Sequence, residues 1–258
     1  MGYFTVRITP DIVDGDISKI IASNKSDAPF ADNDILFDWQ PLQIPKGTNR
    51  LISVSGYMMG EDGGTQSNAD LSFIFAKSVD GTAPTTLGEE NSAQTACFEL
   101  PLHYLGVVKV EATATPTFGP AFGDVFSTGF EGGNNWYSCN LVLEGEANSG
   151  QDVGHDVIYV ACFTKANLDF STGVLANYAS SPPGADSTTS IVVDTVDARK
   201  CFVKGDIVYV HDLDTALGTV SSVTENAIEL TANNVVAVAN NDEIMNATPI
   251  KVVFGFEN

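Results

Sequence analysis

The stretch Leu51–Lys77 reads LISVSGYMMGEDGGTQSNADLSFIFAK. Two apolar runs, Leu51–Met59 and Leu71–Ala76, flank a polar segment rich in glycine. Short runs of aliphatic and aromatic residues between turn-forming residues are typical of β-strands. The stretch therefore predicts a core β-hairpin with its turn at Gly60–Asn68, and the hairpin is assigned to folding rather than to function.

Similar runs recur along the first 180 residues. They begin at or near Tyr3, Ile35, Leu51, Leu71, Cys97, Val107, Trp136 and Val157. Short strands separated by turn signals are typical of an all-β sandwich. Eight antiparallel strands in two sheets would form a jelly roll, although the strand order does not follow from the sequence.

The segment Ala179–Ser190 has the composition of a linker, because it is small, polar and contains Pro182, Pro183 and Gly184. After it the apolar runs become shorter and more regular, which predicts a small barrel of the SH3 or OB kind. The expected fold is therefore all-β. A jelly-roll-like β-sandwich at residues 1–180 is followed by a linker at 181–186 and a small C-terminal β-barrel at 187–258.

The charge of the chain is strongly negative, with 12 Lys and Arg against 33 Asp and Glu and a net charge of −21. A nucleic-acid surface requires clustered Lys and Arg. The densest basic group here is only Arg199, Lys200 and Lys204, so no nucleic-acid partner is expected. Such acidity keeps a protein soluble and opposes non-specific association. A Ca²⁺ ion or a basic partner surface remains an alternative use of the charge.

No catalytic motif is present: the chain lacks a GxSxG elbow, an HExxH pair and a P-loop. The neighbours His155 and Asp156 are the only suggestive pair, and a turn role is favoured for them. Short acidic clusters occur at Asp14–Asp16, Asp32–Asp34 and Asp212–Asp214. Because Ca²⁺ takes six to eight oxygen ligands, turn formation is favoured over metal binding. We expect no enzyme activity, cofactor or metal, and we interpret Lys204-Gly205-Asp206 as a turn rather than an adhesion motif.

The cysteines are Cys97, Cys139, Cys162 and Cys201. None forms a CxxC pair, and buried free thiols are favoured over a disulfide. The start of the chain, MGYFTVRITPD, has no apolar block, and no stretch reaches the roughly 20 apolar residues that span a bilayer. Synthesis in the cytoplasm without a membrane partner is therefore expected.

Two segments are candidates for a partner interface. Phenylalanines recur at every fourth position in one of them: Phe118, Phe122, Phe126 and Phe130. Glycines and prolines among them oppose a helix, so a long ordered loop is predicted over Thr113–Asn135. Its rings either pack back onto the sandwich or form an exposed arm that docks on a neighbour. The other candidate is Asp11–Asn33, where Ile17 and Ile20 lie at helical spacing, although an extended conformation is equally compatible.

The C-terminal region resembles small β-barrel modules of tailed-bacteriophage structural proteins. The resemblance covers about 65 residues and is carried by a GD-x-V strand at Gly205–Val208, GTV-x-x-V at Gly218–Val223, I-x-L-T at Ile228–Thr231 and NND-x-I at Asn240–Ile244. The acidic N-terminal part, rich in Asn, Thr and Gly, is similar in style to virion proteins of marine phages.

The resemblance implies a non-enzymatic virion structural protein, and within that class a capsid decoration (cement) protein is favoured. Its expected partners are the major capsid protein or other virion proteins, and a homo-oligomer, preferably a trimer, is expected. One alternative is a tail or fibre component or a carbohydrate-binding adhesion module, for which Trp39, Trp136 or Tyr57 would line an exposed groove. Another is a glycan-active enzyme on a jelly roll, which would need paired carboxylates in a cleft.

Overall fold

A computed structural model of the protein describes residues 2–13, 30–60, 69–94, 100–110, 124–128, 139–146, 154–178, 180–211, 213 and 215–258. Antiparallel strands make up most of this part of the chain. The described helices are a four-residue turn at Leu100–His103 and a 3-10 turn at Ala198–Lys200. No helix in the described ranges is long and apolar enough to cross a membrane.

The larger unit of the fold is a sandwich of two facing sheets. The first contains β1 (Tyr3–Ile8), β3 (Thr48–Met58), β6 (Asp124–Ser127), β7 (Leu141–Glu144) and β15 (Ile250–Glu257). The second contains β2 (Ile35–Pro45), β4 (Leu71–Lys77), β5 (Tyr104–Val110) and β8 (His155–Thr164).

The strand order of these sheets is that of a jelly roll. In the first sheet the order is β1-β15-β3, with β6 and β7 pairing with different parts of β3, and in the second it is β2-β8-β4-β5. With β6 and β7 counted as one interrupted strand, eight sandwich strands are arranged 1-8-3-6 and 2-7-4-5. This order gives the two Greek keys of a jelly roll. The prediction of an all-β sandwich is thus confirmed, and the structure supplies the strand order that the sequence did not give.

Aromatic rings fill the space between the sheets. Phe73 and Phe75 point inward from β4, and the ring of Phe254 on β15 lies 5.9 and 5.7 Å from theirs in edge-to-face geometry. Such pairs stabilise beyond the area that they bury. Successive β4 side chains alternate in direction, so Ser72 and Ile74 face away from this core.

The predicted hairpin at Leu51–Lys77 is wrong, although its strands are present. Strand β3 belongs to the first sheet and β4 to the second, so the chain crosses the sandwich between them. An apolar run identifies a strand but not the strand that it pairs with. Each of the two sheets places one of these two apolar strands against the core. Residues 61–68 of the predicted turn lie outside the described residues.

The second unit is a nearly closed barrel. Its strands are β9 (Leu175–Ala176), β10 (Ser190–Asp194), β11 (Ile207–Val210), β12 (Ala216–Thr224), β13 (Ala227–Leu230) and β14 (Ile244–Asn246). They are ordered β14-β11-β12-β13-β10-β9. A bridge between Leu175 and Glu243 brings β9 back beside β14 and nearly closes the ring.

This barrel is inserted into the sandwich instead of following it. Strand β15, which falls within the barrel predicted at 187–258, pairs with β3 on one side and β1 on the other. Its residues Phe254 and Phe256 are fully buried in the sandwich. The barrel therefore lies between the seventh and eighth sandwich strands, and the jelly roll is completed only by the last residues of the chain.

The predicted linker at 181–186 is a loop inside the barrel, connecting β9 to β10. The buried side chain of Asn234 holds it: Nδ2 donates to the Gly184 carbonyl at 2.7 Å, and Oδ1 accepts from the Ser187 and Thr188 amides at 3.1 and 2.9 Å. Proline and glycine correctly signalled a loop, but this composition does not distinguish an anchored loop from a domain boundary.

Two further segments differ from expectation. The strand predicted to begin near Cys97 is described only from Leu100 onward, where the helical turn Leu100–His103 leads into β5. The long loop predicted over Thr113–Asn135 contains the short strand β6.

Candidate functional site

Most of the predicted partner interface lies outside the described residues. This holds for Ile17, Ile20, Phe118, Phe122 and Phe130. The sixth residue, Phe126, is only 2% exposed, and its ring lies 6.0 Å from that of Phe73 in the sandwich core. This ring thus packs back onto the sandwich, which was one of the two interpretations of the loop.

The position of Phe126 depends on a glycine on the neighbouring strand. Gly56 is the cross-strand partner of Phe126, and a Cβ atom added to Gly56 would lie 2.4 Å from Phe126 Cζ and 2.3 Å from the Lys251 carbonyl oxygen. Real Cβ atoms do not approach so closely, and the Lys251 oxygen belongs to the paired backbone of β15. The ring therefore occupies the space of the absent side chain.

We expect Gly56→Ala to destabilise the protein by about 1–3 kcal/mol, the usual range for overpacking. Urea denaturation followed by circular dichroism measures the change. Gly184→Ala is the matched control, because no described atom lies within 4 Å of its added Cβ. Adding Phe126→Leu to the Gly56→Ala variant should restore only part of the lost stability, since the added Cβ still clashes with the Lys251 carbonyl oxygen. Equal stability of the two glycine variants would contradict this packing.

Trp39 does not line an exposed groove. It is 9% exposed, and its Nε1 donates to the Thr85 carbonyl at 3.0 Å beneath the segment that follows β4. Tyr57 is half-buried on β3, and Trp136 lies outside the described residues. Burial of Trp39 counts against its use as a platform for stacking sugars.

Two carboxylates from the polar groups considered as possible sites, Asp156 and Asp34, accept hydrogen bonds from backbone amides in turns instead. Asp156 Oδ2 accepts a hydrogen bond from the Gly47 amide at 3.1 Å, and Asp34 Oδ2 accepts from the Ala31 amide at 2.7 Å. Within the described ranges, no group of three or more His, Cys, Asp or Glu is placed to hold a metal ion. Residues 14–16, 212 and 214 of the other acidic clusters lie outside those ranges.

Arg199, in the densest basic group of the chain, is paired with acidic neighbours. Arg199 contacts Asp197 at 2.6 Å and Glu225 at 3.6 Å. The Arg199 side-chain hydrogen bond is the main reason that the pKa of Asp197 is lowered. Arg199 therefore adds little positive field for a phosphate ligand.

A buried polar cluster joins the barrel to the sandwich. Asp206, the last residue of the Lys-Gly-Asp turn, is 1% exposed, and its Oδ1 accepts from Lys251 Nζ on β15 at 2.5 Å. Its Oδ2 accepts from the Val203 amide at 2.8 Å and from Asn246 Nδ2 at 2.9 Å. The carboxylate thus closes its own turn and ties β15 to the barrel. The tripeptide is structural here, since a buried carboxylate is not available to a receptor.

Asn246 extends this cluster along β14. Its Nδ2 also donates to the Cys201 carbonyl at 2.8 Å, and its Oδ1 accepts from the Thr248 amide at 2.9 Å. Buried polar groups are costly unless they are hydrogen-bonded. With its members paired, the cluster links the barrel to strand β15 of the sandwich.

The three described cysteines, Cys139, Cys162 and Cys201, are buried free thiols. Burial raises the pKa of Cys139 to about 12 and that of Cys162 well above its ordinary value. Because the thiolate is the reactive form, both should be inert at neutral pH. Cys97 lies outside the described residues.

We therefore expect Cys97→Ser protein to show no rapid reaction with a thiol-specific chromogenic disulfide reagent at pH 8. The same sample in concentrated guanidinium chloride should release three equivalents, which provides the internal control. Rapid reaction of a thiol in the folded variant would contradict the burial of these cysteines.

A groove lies on the outer face of the second sheet, with a volume of about 450 Å³. It is lined by Asn33, Ser72, Ile74, Ala93, Gln94, Val107, Lys109, Phe163 and Lys165. Side chains from β4, β5 and β8 form its floor, and residues before β2 and after β4 border it. No sequence motif joins these positions, because they come from five separate segments.

Comparison of the chain with protein-family models, curated proteins and solved structures gives no match in any of the three.

Proposed function

We propose that the protein is a virion structural protein of a tailed phage, and that it acts as a capsid decoration protein. The observation that carries the proposal is a jelly roll with a small barrel inserted before its last strand. The barrel is the part of the chain that resembles modules of phage structural proteins. A protein that binds a shell in many copies requires one fixed shape, because each copy must present the same contact surface.

The buried contact between Asp206 and Lys251 supports this requirement. It joins the barrel to β15, and apolar packing is continuous from the sandwich into the barrel. Two units fixed in this way present a single rigid body to a shell. Repeated copies then gain affinity through avidity rather than through a strong single contact.

The charge distribution supports an outward-facing role. The chain carries a net charge of −21, because 33 Asp and Glu residues outnumber 12 Lys and Arg residues. An acidic surface of this kind repels other acidic particles and discourages aggregation of coated shells.

The proposal is tested with expanded heads of the phage that encodes the protein. The purified protein should co-sediment with these heads and raise the temperature at which they release DNA. Protein carrying Asp206→Ala, which loses the buried ion pair between the barrel and β15, should bind these heads more weakly than the wild-type protein at a temperature at which the variant is still folded. Failure of the wild-type protein to bind any head preparation of its own phage would overturn the proposal.

Oligomeric state is part of the same proposal, with a trimer expected. Light scattering coupled to size exclusion measures it directly, against a monomer mass of 27.3 kDa. A species of about three times that mass would support the proposal, and a monomer at all concentrations would contradict the expected trimer.

A further inference from the structure

We propose that the groove on the outer face of the second sheet binds a small organic anion with an apolar body. A carboxylate or sulfate group would lie between Lys109 and Lys165, and the apolar body would lie on Ile74, Val107 and Phe163. The test of this site uses no phage particle, so its failure is distinguishable from failure of the proposed function.

The strand register brings the groove residues together. Ser72 on β4 pairs with Lys109 on β5 and with Phe163 on β8. Cross-strand neighbours lie about 4.5–5.5 Å apart at Cβ, so the three side chains form one row on the outer face. Ile74 and Val107 form the next row along the same face.

Charge favours an anion at this position. The chain has 12 basic residues against 33 acidic ones, yet two lysines and no acidic residue are found among the nine residues that line the groove. Lys165 donates a hydrogen bond to the neutral amide of Asn33, and within the described residues Lys109 has no ion-pair partner. The groove is therefore a local positive site on an acidic protein.

Ser72 gives an independent indication of a ligand. It is 5% exposed, and its Oγ has no hydrogen-bond partner in the described structure. An unsatisfied buried hydroxyl destabilises a fold, so such groups call for a particular explanation. The Oγ atom itself is covered in the free protein, so a ligand oxygen would accept from it only after the Ser72 side chain rotates toward the groove.

The size and lining of the groove indicate a small molecule. Ligand sites commonly measure about 300–1,000 Å³, with mostly apolar walls and a few polar groups that set orientation. The groove, at about 450 Å³, has this composition. Ile74 and Phe163 lie on the floor, and the lysines stand at the exposed rim.

The test uses 4-phenylbutyrate as the probe, with its neutral amide and inorganic sulfate as comparisons, titrated by calorimetry into the full chain. We expect saturable binding of one 4-phenylbutyrate, at least tenfold weaker binding of the amide, and no saturable binding of sulfate alone. Equal binding of 4-phenylbutyrate and its amide would overturn the requirement for a negative charge on the ligand. Saturable binding of sulfate alone would overturn the requirement for an apolar body. Binding of an acidic peptide without binding of 4-phenylbutyrate would overturn the small-molecule assignment.

Variants locate the site. Lys109→Gln and Lys165→Gln should each weaken binding by threefold to tenfold, whereas Lys204→Gln, an equal charge change on the barrel surface, should leave it unchanged. Ser72→Ala should weaken binding several-fold while the denaturation midpoint stays the same or rises. Unchanged affinity of the Ser72→Ala variant would overturn the contact between Ser72 and the ligand. Equal affinity of the Lys109 and Lys204 variants would overturn the proposal.

Discussion

Removal of Ile250–Asn258 is expected to unfold the β-sandwich, even though this deletion leaves residues 1–249 intact. Strand β15 lies between β1 and β3. It contributes four fully buried side chains: Ile250, Val252, Phe254 and Phe256. Burying one such side chain contributes about 1.5–3 kcal/mol, so four contribute about 6–12 kcal/mol. A whole domain is stable by only about 5–15 kcal/mol.

Near-ultraviolet circular dichroism and limited proteolysis of the truncated protein measure this effect. Two point variants serve as matched controls on the same strand. Phe254→Ala should cost about 3–5 kcal/mol because it leaves a cavity in the core. Val253→Ala, on the outward face, should cost under about 1 kcal/mol, as most surface changes do. A truncated protein with a native spectrum would contradict the insertion of the barrel within the sandwich.

Replacing Asp206 with alanine is expected to destabilise the protein by about 3–5 kcal/mol, the range for breaking a buried ion pair. The change removes the acceptor of Lys251 Nζ and leaves Asn246 Nδ2 and the Val203 amide without the carboxylate. Each buried donor that loses its partner carries its own desolvation cost. The turn that begins β11 and the attachment of β15 should weaken together.

Urea denaturation measures the loss, with Glu225→Ala as the matched control. The Glu225 side chain is 65% exposed and lies 3.6 Å from Arg199, so its loss should cost no more than about 1 kcal/mol. Combining Asp206→Ala with Lys251→Met should cost less than the two single changes added together, because neither charge then remains alone. Additive losses, or equal effects of Asp206→Ala and Glu225→Ala, would contradict a coupled buried pair.

Strand positions were largely predictable from the sequence, whereas strand partners were not. The run predicted to begin at Tyr3 is strand β1, and those predicted to begin at Ile35 and Leu71 are β2 and β4. Alternation and turn residues are local signals. Pairing of β3 with β15 joins residues about 200 positions apart, and loop closure becomes only slowly more costly with length. Proximity in sequence therefore favoured the wrong partners for Leu51–Met59 and for Ile250–Phe256.

The candidate groove has no local signature for the same reason. Ser72, Lys109 and Lys165 are separated by dozens of residues and meet only through the register of β5, β4 and β8. None of these three residues forms part of a recognisable sequence motif in its own segment. Only the strand order shows that two of the few lysines share one face with a buried, unpartnered hydroxyl.

The proposed role is tested most directly by an electron cryomicroscopy reconstruction of the phage particle at a resolution that separates the sandwich from the barrel. We expect density for both units, in fixed relative position, at symmetry-related sites on the outer surface of the head. Density on the tail alone would favour the tail or fibre alternative over decoration. Absence of the protein from purified particles would contradict a structural role in the virion.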